Sequence, residues 1–164
     1  MQSTKLIFAL VIVIAAVAGW YAFRPERLFT NQSVNEQFPT ATAAAPAQLS
    51  ALASGDFHDV SHKGSGTAAI YQLADGKRVL RFTNFETSNG PDVQVYLVAA
   101  DDARDAETVK NAGFISLGAL KGNVGDQNYD VPANIDLNKY RAVSIWCRRF
   151  SANFATAPLR QQQS

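Results

Sequence analysis

The chain is poor in the residues that usually cross-link a small domain or mark its chemistry. Its 164 residues include one cysteine, one methionine and two histidines. A single cysteine cannot form an internal disulfide, so the stapled frameworks of many small exported domains are excluded and the core must hold the fold alone. Charge is sparse and balanced: 15 Lys and Arg stand against 14 Asp and Glu, a net charge of +1. That removes the basic stripe a polyanion would require, and no nucleic-acid partner is expected. Also missing are a phosphate-binding glycine loop, a G-x-S-x-G elbow, an H-E-x-x-H zinc helix and a C-x-x-C-H haem attachment. These absences weigh against hydrolases, nucleotide enzymes and c-type cytochromes, and they leave open whether the protein is an enzyme.

Against this background the N-terminus stands out. Leu6 to Phe23 is an uncharged apolar run, which as a helix would reach about 27 Å, close to the hydrocarbon thickness of a bilayer. Trp20 and Tyr21 lie at its end, where amphipathic aromatics favour the membrane interface, and Arg24-Pro25-Glu26-Arg27 stops it. Two readings follow. Residues 1–23 are an uncleaved transmembrane anchor, or a signal segment with Lys5 as its basic start and Ala16-Val17-Ala18 as a small-x-small cleavage site. The length and the aromatic end favour the anchor. Either way the remainder is expected on the extracytoplasmic face.

Residues 24–54 read as a linker, because the stretch 38–47 is small, proline-punctuated and low in complexity. Leu28, Phe29, Val34 and Phe38 are apolar enough for parts of it to pack on the domain, and a helical turn is expected over 47–53. Residues 55–159 read as short strands separated by turn chemistry. Thr67–Leu73 and Lys77–Phe85 flank Asp75-Gly76, a tight-hairpin signal, and Val93, Val95 and Leu97 alternate with Gln94, Tyr96 and Val98. Further strands are predicted over 113–120, 126–131, 142–150 and 152–157, with a loop or short helix over 101–110 and a capped turn from Asp136. About eight such strands define an all-β, antiparallel sandwich or barrel-like domain behind an N-terminal transmembrane helix. Residues 160–164 are expected to form a flexible tail.

Cys147 lies in Ser144-Ile145-Trp146-Cys147-Arg148-Arg149-Phe150. On a strand, Val143, Ile145 and Cys147 share one face, while Ser144, Trp146 and Arg148 share the other. The plain reading is a small apolar thiol packed in the core. The alternative is chemical. Arg148 and Arg149 are near enough in sequence to favour a thiolate, and a strand that ended or bulged there would expose it. Such a thiolate can be oxidised, ligate a metal or haem iron, or exchange with a partner's disulfide. His58 and His62 would share a face of an extended strand, and with Cys147 they form a set that a soft or borderline metal accepts, although no spacing demands one. A surface or turn role is favoured for His58. Asp92, after Asn89-Gly90-Pro91, is expected to fix the turn, with a cation or a histidine as alternative partner.

These residues form an ordered set: Gly55-x-Phe57, His62-x-x-x-Gly66, Leu80-x-Phe82-x-x-Phe85, Asn89-Gly90-Pro91-Asp92, Val95-x-Leu97, Leu117-Gly118-x-Leu120-Lys121-Gly122, Gln127-x-Tyr129-x-Val131-Pro132, and Val143-x-Ile145-Trp146-Cys147-x-x-Phe150 with Phe154. The set resembles the DM-thirteen electron-transfer domain family from about Gly55 to Leu159. The resemblance implies a β-sandwich-like fold and a redox role centred on the family's cysteine, which Cys147 matches. His62 and Asp92 match recurring positions and become supporting candidates beside Arg148 and Arg149; His58 matches none. Family members often occur beside DOMON or cytochrome-type domains, so a separate redox or surface protein is the expected electron partner, and a haem or metal is a possible but unassigned cofactor. The resulting expectation is a membrane-anchored extracytoplasmic redox accessory domain using one cysteine. A non-catalytic binding or adhesion module with a structural cysteine, and a haem or metal carrier, are the alternatives.

Overall fold

A computed structural model describes residues 2–23, 30–39 and 50–161. The first element, α1 (Gln2–Phe23), is a helix of 22 residues. Apolar side chains point outward around its circumference, among them Leu6 at 71% exposure and Val17 at 63%. Among the described residues no helix is long and apolar enough to cross a membrane, so the expected transmembrane helix is not shown.

Among the described residues, ten strands make two antiparallel sheets. They are β1 (Ala51–Asp56), β2 (His58–Asp59), β3 (Gly64–Gln72), β4 (Arg78–Thr87), β5 (Val93–Val98), β6 (Phe114–Ala119), β7 (Gln127–Val131), β8 (Ala142–Cys147), β9 (Ala152–Pro158) and β10 (Arg160–Gln161). One sheet has the order β10-β1-β3-β4-β7, the other β2-β9-β8-β5-β6. Two five-stranded sheets facing each other define a sandwich rather than a barrel. A second helix, α2 (Ala106–Ala112), follows β5 and is capped by Asp105, whose carboxylate accepts from the Thr108 N–H at 2.6 Å.

The predicted hairpin forms between β3 and β4. Gly76 takes φ +83°, the Leu73 N–H donates to the Lys77 carbonyl at 2.8 Å, and the Asp75 carboxylate accepts from the Lys77 N–H at 3.0 Å. That turn sets the register Ile70 opposite Leu80 and Ala68 opposite Phe82, which sends all four side chains into the core. From the facing sheet Val95, Leu97, Val143, Ile145, Cys147 and Phe154 complete that core. Its largest contacts are edge-on or tilted phenylalanine pairs, with Phe57–Phe82 at 5.0 Å and Phe82–Phe85 at 4.9 Å between ring centroids. Strands β5 and β8 are buried on both faces. Their outer face carries Tyr96, Val98, Ala142 and Trp146, packed with Ala103 and with Val109 of α2.

Several boundaries differ from expectation, among them the strand expected over 142–150, which ends at Cys147 with residues 148–150 in a turn. Residues 51–53, expected at the end of a helical turn within the linker, are the start of strand β1; residues 47–49 lie outside the described residues. Arg160 and Gln161, expected in a flexible tail, pair with Ser54 and Ala53; the other tail positions lie outside the described residues. Residues 30–39, expected as linker, run as a strap along the domain. The Val34 N–H donates to the Val124 carbonyl and the Glu36 N–H to the Asp126 carbonyl, both at 2.9 Å. The Glu36 carboxylate binds Lys121 Nζ at 2.7 Å and the Asn128 N–H at 2.7 Å, and Phe38 sits edge-on against Tyr71 at 5.1 Å. Local composition could not show this, because every partner lies far along the chain.

The strap needs glycine beneath it. A Cβ on Gly125, where φ is +102°, would lie 2.1 Å from the Val34 carbonyl oxygen. Gly125→Ala should therefore lower the unfolding free energy by on the order of 1–3 kcal/mol and release the strap, read as new protease sensitivity near residues 30–39. Unchanged urea unfolding and an unchanged cleavage pattern would refute this account of the strap.

Candidate functional site

Cys147 is the last residue of β8, opposite Val93 of β5 and Ala152 of β9. The strand alternation holds: Cys147 follows Val143 and Ile145 into the inner core, whereas Trp146 packs on the outer face. The thiol-bearing residue has no exposed surface, so the strand end does not present it at a rim. Phe154 closes the core at this end. The His62 ring lies over it at 3.9 Å, and a Cβ on Gly90 would meet its ring edge at 3.1 Å. His62 itself is exposed, and its N–H donates to the Phe154 carbonyl at 3.0 Å.

Asp92 and Arg148 form a two-pronged pair on the rim of the same end. Arg148 donates from Nε to Oδ2 at 2.9 Å and from Nη2 to Oδ1 at 3.0 Å, and its backbone N–H donates to the Asp92 carbonyl at 3.0 Å. Gln94 Nε2 adds a bond to Oδ1 at 2.8 Å. The Arg148 bonds hold the Asp92 carboxyl below the usual carboxylate range, against partial burial, with smaller help from Gln94 and the charge of Arg149. Asp92 thus takes the cation alternative and ties the β5 entry to the β8 exit. The Arg148 guanidinium, in the turn just past β8, is engaged by Asp92. Arg149 is exposed in the turn that follows.

His58 is not in this group. Its Nδ1 faces the Asp59 carbonyl at 3.0 Å and its Nε2 faces Asp102 Oδ1 at 2.9 Å, while Arg104 Nε holds the other Asp102 oxygen at 2.8 Å. The expected sharing of a strand face by His58 and His62 fails because β2 ends at Asp59 and the chain turns. Sequence spacing missed the pair with Asp102, since 44 residues separate the partners. Among the described residues no three His, Cys, Asp or Glu side chains are grouped to hold a metal ion.

Among the described residues, cavities open at several places on the domain. One of about 140 Å³ lies beside the candidate end, lined by Gln32, Asn89, Gly90, Asp92, Leu120 and Asn123. One of about 690 Å³ lies under the strap, with Glu36, Lys121 and Tyr129 in its wall. A third, of about 480 Å³, includes Asp102, Arg104 and Arg141. Cys147 lines none of them. With Cys147 fully buried, its sulfur as placed presents no open coordination position to a haem or metal.

The architecture is that of a disulfide-free antiparallel β-sandwich domain with one enclosed thiol. Residues 56–159 match the family model described as electron transfer DM13, and the chain belongs to that family. No curated protein and no solved structure matches it. Membership supports a redox-related role for the domain. The matched stretch begins after the strap.

The His58 contact has a pH signature. Burial is the largest influence on the ring and opposes its charge, but the Asp59 carbonyl and the Asp102 carboxylate together outweigh burial and Arg104, raising its pKa above the ordinary 6.5. Both ring nitrogens face acceptors, and only the protonated ring donates to both at once. A raised folded-state pKa gives stability that is fully present below the unfolded value and lost as pH rises through the folded value. His58→Gln should thus destabilise the domain more at pH 5 than at pH 9. Equal losses at the two pH values, or an NMR titration midpoint at or below 6.5, would contradict this.

Proposed function

We propose that the chain is a membrane-tethered redox accessory domain on the extracytoplasmic face, with Cys147 as its electron- or oxidation-active centre. The observation that carries the reading is the family match across 56–159, in which W-C-x-x-F ends the ordered motif set at Cys147. The tether reading draws support from α1, whose exposed apolar side chains are an unfavourable surface in water and a suitable one in lipid. In this reading His62 and Phe154 form the lid of the enclosed thiol. The Asp92–Arg148 pair positions the strand that carries it, and Arg149 contributes positive charge at the rim. The electron partner is a separate redox or surface protein that docks at this end. Enclosure suits such a centre, because a shielded thiol resists the small oxidants outside the cytoplasm and reacts when the lid opens.

The complete burial of Cys147 favours a second reading: a packing thiol in a sandwich that serves as a binding or adhesion module. One experiment separates the two. Full-length protein in detergent is treated with a thiol reagent at increasing concentrations of urea, and a redox titration follows by mass spectrometry. The redox reading predicts that Cys147 reacts well below the global unfolding midpoint. It also predicts that His62→Ala speeds the reaction at least several-fold with little loss of stability. A thiol that reacts only with global unfolding, at the same rate in the His62 variant, would leave the packing role and remove the redox one.

A further inference from the structure

Outside α1 the described large apolar side chains are buried or half-buried with two exceptions, Phe114 at 45% and Phe150 at 63% exposure. They stand at opposite ends of one sheet. Phe114 begins β6 opposite Val98, whereas Phe150 lies in the β8–β9 turn just past Cys147, which is opposite Val93. The length of β5 sets these ends apart by about 17 Å. Phe114 is stacked on Tyr96 at 4.1 Å, but none of the ring contacts described for Phe114, Tyr96 or Phe154 involves Phe150. Arg148 and Arg149 precede it, both exposed, and Arg148 pairs with Asp92.

The end that carries Phe150 is also where the chain from α1 reaches the domain. The Gln32 N–H donates to Asn123 Oδ1 at 2.7 Å, and Asn31 Oδ1 accepts from Asn123 at 3.0 Å and from Asn89 at 3.2 Å. Asn89 and Asp92 border one cavity with Gln32, and Asp92 holds Arg148. From Phe23 to Thr30 the backbone can span at most about 25 Å, because each residue adds no more than ~3.6 Å. A helix in the bilayer therefore keeps this end of the sandwich within that distance of its own end.

We infer that the β8–β9 turn, Arg148-Arg149-Phe150, rests on the surface of the bilayer that holds α1. Phe150 inserts at headgroup level and the arginines lie against lipid phosphates. The inference rests on the membrane-tether reading above. The chemistry agrees at each point: an unsheltered aromatic ring favours the interface, a neighbouring guanidinium binds phosphate, and a short connection holds the turn against the surface. The occupant is an anionic lipid surface, and the docked domain stands with β5 and β8 across the membrane plane. The Cys147 end then faces lipid and the Phe114 end faces away.

The test uses the full chain reconstituted in vesicles of phosphatidylcholine with phosphatidylglycerol. An environment-sensitive fluorescent amino acid is placed at position 150 in one sample and at position 114 in another, leaving Cys147 intact. Flotation of the vesicles and circular dichroism establish insertion and folding in each. The expected result is a blue-shifted probe at 150, quenched at least twofold by a headgroup-attached quencher, and a probe at 114 that stays wet and unquenched. Arg149→Gln should reduce the shift at 150, and high salt should do the same. Co-floating protein with equally wet probes would overturn the inference alone. Protein that fails to float would overturn the tether reading and this inference with it. An equal shift in pure phosphatidylcholine would overturn the part assigned to the arginines.

Discussion

No disulfide ties the two sheets together, so their cohesion depends on the fit of side chains between their inner faces. Phe57, Phe82 and Phe85 lie at the centre of that contact, with ring centroids 4.9–5.0 Å apart. Each fully buried aromatic contributes roughly 1.5–3 kcal/mol through removal of apolar area from water, with more from edge-on geometry. Cys147 belongs to the same contact surface, as a side chain and not as a cross-link. Any chemistry at its sulfur therefore shares atoms with the packing that holds the sheets together. A larger or polar oxidised form would have to be accommodated where packing is tight. This coupling makes Phe154, the ring between Gly90 and His62, as relevant to the thiol as any charged neighbour.

The polar groups divide their work by position. At the strand ends, carboxylates tie separate elements: Asp92 to Arg148, Asp126 to Arg81, and Glu36 to Lys121. Within the outer face of the second sheet, Asn153 is buried and its side chain is hydrogen-bonded at both ends. It accepts from Ser144 Oγ at 2.8 Å through its side chain, and donates to the Ala103 carbonyl at 2.6 Å. A buried amide without those partners would be costly, so it fixes how the segment before α2 lies on the sheet. Apolar packing supplies the cohesion, and these pairs select one arrangement among several that would bury similar area.

Features with a short-range cause were legible in the sequence. The Asp75-Gly76 hairpin follows from the positive φ its glycine allows, and the two faces of β8 follow from the period of two along a strand. The ordered motifs around Cys147 pointed to the family that the 56–159 match bears out. Long-range causes were hidden. Residues 30–39 look like tether by composition, yet Gln32, Glu36 and Gln37 find partners about 90 positions later. His58 has an unremarkable local setting, and its partner Asp102 arrives 44 residues later on the loop that follows β5. The candidate site was half visible for the same reason. Alternation placed Cys147 inward, but the pairing of Asp92 with Arg148 rather than a histidine depends on the register between β5 and β8.

The strap also imposes an order in time. Gln32 is synthesised 91 residues before Asn123, its partner at 2.7 Å. A chain emerging from its N-terminus presents the strap long before the groove at 122–128 exists. Its hydrogen-bonding groups must stay solvated until β4 and β7 have paired, so the loop-closure cost falls late in folding. The strap is thus a closing seal: its docking reports that the sheet beneath it is already assembled.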